Sequence, residues 1–105
     1  MRDPNYLDIV LWIFRRLFRF RIVGESMNPT LLHGDQVLVR KTKEFSVGDV
    51  VVARHPYKKE LIIKRVAKIE NDDILFVGDN TDSTDSRHFG NVKRTAIIGK
   101  VIANI

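Results

Sequence analysis

The chain contains no cysteine. That excludes a thiol nucleophile, a disulfide framework and a cysteine-ligated zinc site. It also lacks a long apolar run: Ile9 to Phe14 is far short of the roughly 20 residues that span a bilayer. The cluster of positive charges follows that run rather than precedes it, so it does not read as a cleavable signal peptide. There are only three histidines, His33, His55 and His88, and no pair stands at a recognised metal-ligand spacing. Repeats and low-complexity segments are absent. What is present, 105 residues with 44% apolar and 30% charged side chains, describes one folded domain with a single modest core. The net charge of +5 comes largely from Arg15, Arg16, Arg19 and Arg21. A local basic cluster beside apolar residues fits a membrane surface at least as readily as nucleic acid.

Asp3 followed by Pro4 has the chemistry of a helix start, a capping oxygen and then a proline in the first turn. From Tyr6 to Phe18 the polar residues Asp8, Arg15 and Arg16, with Arg19 beyond, fall on one narrow helical face, Trp12 lies inside that arc, and the rest is apolar. The pattern predicts an amphipathic N-terminal helix over residues 1–20. Residues 4–19 are expected either to lie in a membrane interface with their arginines at the headgroups or to pack on protein.

From Phe20 onward the pattern is β. Arg19–Val23, Gln36–Arg40, Val50–Arg54, Leu61–Ile69, Ile74–Val77 and Ala96–Ile102 are short valine- and isoleucine-rich runs. Gly34-Asp35, Gly48-Asp49, Asn71-Asp72-Asp73 and a long polar loop over 78–95 separate them. Connections this short favour antiparallel neighbours in a partly closed barrel or two packed sheets.

Two residues carry the chemistry. Ser26 stands in the turn-rich segment Gly24-Glu25-Ser26-Met27-Asn28-Pro29-Thr30-Leu31, and Lys64 in the strand-like run Leu61-Ile62-Ile63-Lys64-Arg65-Val66. A serine hydroxyl needs a base to take its proton, and a lysine amine is that base only when neutral, which desolvation favours. Strand alternation groups Lys64 with Ile62 and Val66. Arg65 is also flanked by apolar residues, so alternation alone leaves open which of the two points inward.

With the loop Gly78 to Gly90 included, the chain resembles the signal peptidase I family of serine proteases, which use a Ser/Lys dyad. The resemblance rests on Ser26-Met27 with Pro29-Thr30-Leu31, Gly34-Asp35, Gly48-Asp49-Val50-Val51-Val52, Lys64-Arg65-Val66, and Gly78-Asp79-Asn80 leading to Ser83 and Asp85-Ser86-Arg87. It covers about residues 22–102. Within the family the chain looks most like the nickel-type superoxide dismutase maturation proteases, through Gly48 to Tyr57 and Ser83 to Arg87.

The resemblance implies a mainly β, small antiparallel, partly closed barrel-like domain of signal peptidase/LexA type over residues 21–105, behind the short helix. It implies that Ser26 attacks the scissile carbonyl and supplies a main-chain oxyanion donor, that Lys64 is the base, and that Ser83 orients the lysine. Met27 is expected beside the nucleophile near the primary specificity pocket. Asp79, Asn80, Asp85, Ser86 and Arg87 are expected to shape the site loop, with Asp85 and Arg87 paired. Some family members place a hydroxyl residue two positions before the nucleophile as a second oxyanion donor; here Gly24 stands there. The segment from Asn80 to Ser83 is one residue shorter than in typical signal peptidases. No cofactor and no metal are implied.

The implied substrate is a precursor protein bound as an extended strand, with small residues before the cut; the closer resemblance makes it a nickel superoxide dismutase precursor. The alternative is general signal peptidase I activity on secreted preproteins. A LexA-type self-cleaving protein would share the dyad but needs a DNA-binding domain and an internal cleavage loop. A histidine base would have to be His33, His55 or His88, of which His55 and His88 read as exposed loop residues, and a non-catalytic binding domain leaves the Gly78–Gly90 segment without a role. Nucleic acid is not an expected partner. The expected location is cytoplasmic or peripheral to a membrane, without a spanning helix.

Overall fold

The computed structural model describes residues 15–80 and 91–105, together with Leu7, Ile9 and Val10. Among these, seven strands form one antiparallel sheet: β1 Leu17–Arg21, β2 Gln36–Lys41, β3 Val50–Arg54, β4 Leu61–Glu70, β5 Asp73–Val77, β6 Val92–Lys93 and β7 Ile97–Asn104. Their order is β1-β2-β7-β3-β4-β5-β6. The sheet curls into a half-barrel, the mainly β architecture that the valine-rich runs predict.

The curl divides the core in two. Ile22, Met27, Leu31, Val37, Val39, Val52 and Ile63 form one cluster. Val51, Ala53, Val66, Ile74, Phe76, Val92 and Ile97 form the other. Successive residues of β3 serve opposite clusters, as the pleat requires. Gly99 lets β2 and β7 approach closely, because a Cβ there would sit 2.5 Å from the Arg40 carbonyl oxygen.

Several boundaries differ from the sequence expectation. Leu17 and Phe18, expected to be helical, already belong to β1, where Leu17 pairs with Arg40 and Phe18 with Val39. Phe18 and Phe20 pack on the first cluster while Arg19 and Arg21 are exposed, a period of two. Leu7, Ile9, Val10 and Arg15 are helical. The expected polar loop 78–95 contains β6, whose Val92 is buried and pairs with Ile74; two residues are too few to show a period. Arg94–Ala96 forms a 3-10 turn, and β7 begins after it at Ile97.

Candidate active site

Ser26 lies in the connection from β1 to β2, in a turn closed by hydrogen bonds. The Asn28 N–H donates to the Glu25 carbonyl at 3.1 Å, and the Leu31 N–H donates to the Met27 carbonyl at 2.9 Å. Met27, expected in the wall beside the nucleophile, is instead fully buried in the first core cluster, so it anchors the turn by packing. Gly24 has φ +85°, a left-handed conformation in which a side chain is strained. Its N–H donates to His33 Nδ1 at 3.0 Å. Backbone geometry therefore accounts for a glycine at this position.

The choice between Lys64 and Arg65 is settled by the pairing of β4. Lys64 lies opposite Val51 and Ile62 opposite Ala53, which places Lys64 on the face of the second core cluster. Lys64 is only 6% exposed. Arg65 turns the other way. Its Nε and Nη2 donate to the Asp79 carboxylate at 2.8 and 2.7 Å, and its Nη1 donates to the Gly48 carbonyl at 2.6 Å. This fork holds the Asp79 carboxyl below its ordinary value; a hydrogen bond from Thr30 adds to the effect, while burial opposes it.

Asn80 ties the end of β5 to the serine turn. Its N–H donates to the Ser26 carbonyl at 2.9 Å, and its Nδ2 donates to the Glu25 carbonyl at 3.0 Å. Asp79 and Asn80 thus hold, respectively, the strand that carries the lysine and the turn that carries the serine. The Gly-Asp-Asn segment signalled importance in the sequence, but not this division of labour.

Ser26 and Lys64 line one cavity of about 410 Å³. Phe20 and Val23 form one side of it, and the segment Glu60 to Ile63 the other. Ser83, Asp85, Ser86 and Arg87 lie outside the described residues, as does His88. His33 and His55 each use Nδ1 to accept backbone N–H groups, His55 from Tyr57 and Lys58, and neither lines the cavity. Among the described residues no group of three or more histidine or acidic side chains is placed to hold a metal ion. Nor is any described helix long and apolar enough to cross a membrane.

The sequence has relatives. The model of the Peptidase S24-like family matches residues 8–102. The mitochondrial ATP-independent inner membrane protease subunit 1a of Arabidopsis thaliana is 33% identical over 78% of this chain and 66% of its own length. Signal peptidase I P of Bacillus subtilis subsp. natto is 34% identical over 70% of this chain and 44% of its own length. Signal peptidase I of Bacillus caldolyticus is 28% identical over 95% and 87%. The chain thus spans less than two thirds of the length of the first two relatives. On the extent of the family match, the chain belongs to the Peptidase S24-like family, with the signal peptidase I-like proteins.

Proposed function

We propose that the protein is a serine endopeptidase that removes an N-terminal leader from a precursor protein with a Ser26/Lys64 dyad. The observation that carries this reading is the shared cavity, whose lining includes both a serine on a hydrogen-bonded turn and a lysine only 6% exposed. Withdrawing an ammonium from water disfavours its charged form, and the neutral amine is the form that can act as a base.

In this mechanism the Ser26 Oγ attacks the scissile carbonyl carbon while the Lys64 amine takes the hydroxyl proton. The Ser26 main-chain N–H donates to the developing oxyanion. The C–N bond then breaks, and Lys64 passes its proton to the leaving amine. Water attacks the resulting ester, again losing a proton to Lys64, and serine is regenerated as the acid product leaves. Ser83 is assigned the orienting role beside the lysine amine.

The substrate is proposed to bind as an added strand. Leu61 to Arg65 pair with β3 on one side, but pairing with β5 starts only at Arg65 opposite Val77. Among the described residues, the other side of Leu61 to Lys64 carries no strand, and it faces the cavity that Phe20 and Val23 close. An extended peptide laid there gains main-chain hydrogen bonds from β4 and small apolar pockets for alternate side chains.

A nickel superoxide dismutase precursor is the specific substrate proposed from the segments Gly48 to Tyr57 and Ser83 to Arg87. General processing of secreted preproteins is the second reading, favoured by the relatives called signal peptidase I. Incubating the purified full chain with each precursor, with product masses measured, separates them. Cleavage of the dismutase precursor alone supports the first, cleavage of the secreted preprotein the second. Cleavage of neither contradicts leader removal.

A further inference from the structure

A second cavity of about 410 Å³ shares no lining residue with the first. We propose that it binds a phosphate group. It lies where β2, the loop after it, the Arg94 turn and β7 meet, and it sets four cations, Arg40, Lys43, Arg94 and Lys100, against two carboxylates, Glu44 and Asp49. A cavity of this size falls within the roughly 300–1,000 Å³ of small-ligand sites.

Two of these cations are unfavourably placed. Arg40 lies directly opposite Lys100 in the β2–β7 ladder. Like charges directly opposed in an antiparallel pair destabilise it. Asp49 offsets Lys100 only loosely, at 3.9 Å, and Arg40 meets no carboxylate among the described residues. Lys43 donates its ammonium hydrogens to the carbonyl oxygens of Thr95 and Ile97. Those contacts use two of its three hydrogens without neutralising its charge.

Arg94 is held ready rather than spent. Its guanidinium lies 4.9 Å from the centre of the Phe45 ring, and one N–H donates to the Lys43 carbonyl at 3.3 Å. A guanidinium has five N–H donors in a fixed plane, so a fork remains for a second partner. Arginine forks and lysine point charges arriving from separate elements match the several oxygens of a phosphate. A stacked nucleobase is a poorer fit, because Arg94 already covers Phe45.

The full chain is titrated with inorganic phosphate in chloride buffer and followed by calorimetry and by backbone amide shifts. Saturable binding that moves the amides of residues 42–46 and 94 is expected. Arg40→Gln should weaken binding about ten-fold, as loss of a charge-assisted hydrogen bond does, and Arg40→Gln/Arg94→Gln should weaken it further. Without phosphate, Arg40→Gln should unfold at the same temperature or higher, because it relieves the opposition to Lys100. Displacement of phosphate by glycerol phosphate names a soluble phosphomonoester as the source. Displacement by phosphatidic acid vesicles that depends on Arg40 names a lipid headgroup. Absence of saturable binding, or equal affinity in Arg40→Gln, overturns the proposal.

Discussion

Arg65 and Asp79 make a two-pronged contact, at 2.8 and 2.7 Å, between β4 and the segment that follows β5. Each is one residue from the site: Arg65 follows Lys64, and Asp79 precedes Asn80, which holds the Ser26 turn. The pair therefore ties the strand that carries Lys64 to the segment that holds the Ser26 turn. Its side chains are 33% and 14% exposed, so solvent screens it only in part.

The pair makes stability depend on pH in one direction. The Asp79 carboxyl is held below its ordinary value, first by the Arg65 hydrogen bond. A carboxyl with a depressed folded value stabilises the fold above its unfolded pKa of about 3.9, and that contribution is lost as pH falls through the folded value. The Arg65 shift is upward from a value already near the alkaline limit, so its contribution persists across ordinary pH. Asp79→Asn should cost about 1–2 kcal/mol at neutral pH. Its difference from the parent should shrink as unfolding midpoints are measured from pH 5 to 2. A constant difference would contradict the assignment.

Asn80 is a positioning residue under this account. Asn80→Ala removes the Nδ2 contact to the Glu25 carbonyl while keeping the main-chain bond to Ser26. Misplacing a nucleophile by an ångström costs on the order of 100-fold, so kcat should fall about 10- to 100-fold with a smaller change in KM. Steady-state kinetics on a precursor substrate measures the split, and a change confined to KM would count against the role.

Much of this was legible in the sequence. The valine-rich runs Gln36–Arg40 and Val50–Arg54 became β2 and β3, each started by a Gly-Asp turn. β1 was less clear, since Leu17, Phe18 and Phe20 fit an apolar helical stripe as well as one strand face, and only pairing with β2 decides. Lys64 and Arg65 could not be told apart locally, because the acid that claims Arg65 lies fourteen residues away. Met27 reads as a wall residue beside Ser26, yet its burial depends on Ile22, Leu31 and Val37 from both sides of the turn. The basic cavity was invisible, its cations being scattered from Arg40 to Lys100.

Lys64→Arg should be inactive although the charge is kept, because arginine is not deprotonated in proteins. For the parent, activity should fall toward acid pH as the base becomes protonated. Activity assays across pH check both, and parent-like turnover in Lys64→Arg would exclude the lysine as base.

The N-terminal segment is expected to bind anionic vesicles through its apolar face and arginines. Each surface arginine contributes about 1 kcal/mol, screened over a Debye length near 8 Å at physiological salt. Co-sedimentation of the full chain should weaken as salt rises and drop sharply when residues 1–14, which carry most of the segment's apolar side chains, are removed, a cut that spares β1. A full chain that stays in the supernatant at low salt would assign the segment to protein packing.

The most direct test of the dyad is Ser26→Ala, with precursor cleavage followed by product mass and the fold by circular dichroism. If Ser26 is the nucleophile, the variant shows an unchanged spectrum and no leader release beside a parent chain that cuts at a single site. Cleavage by Ser26→Ala at the parent rate would contradict it.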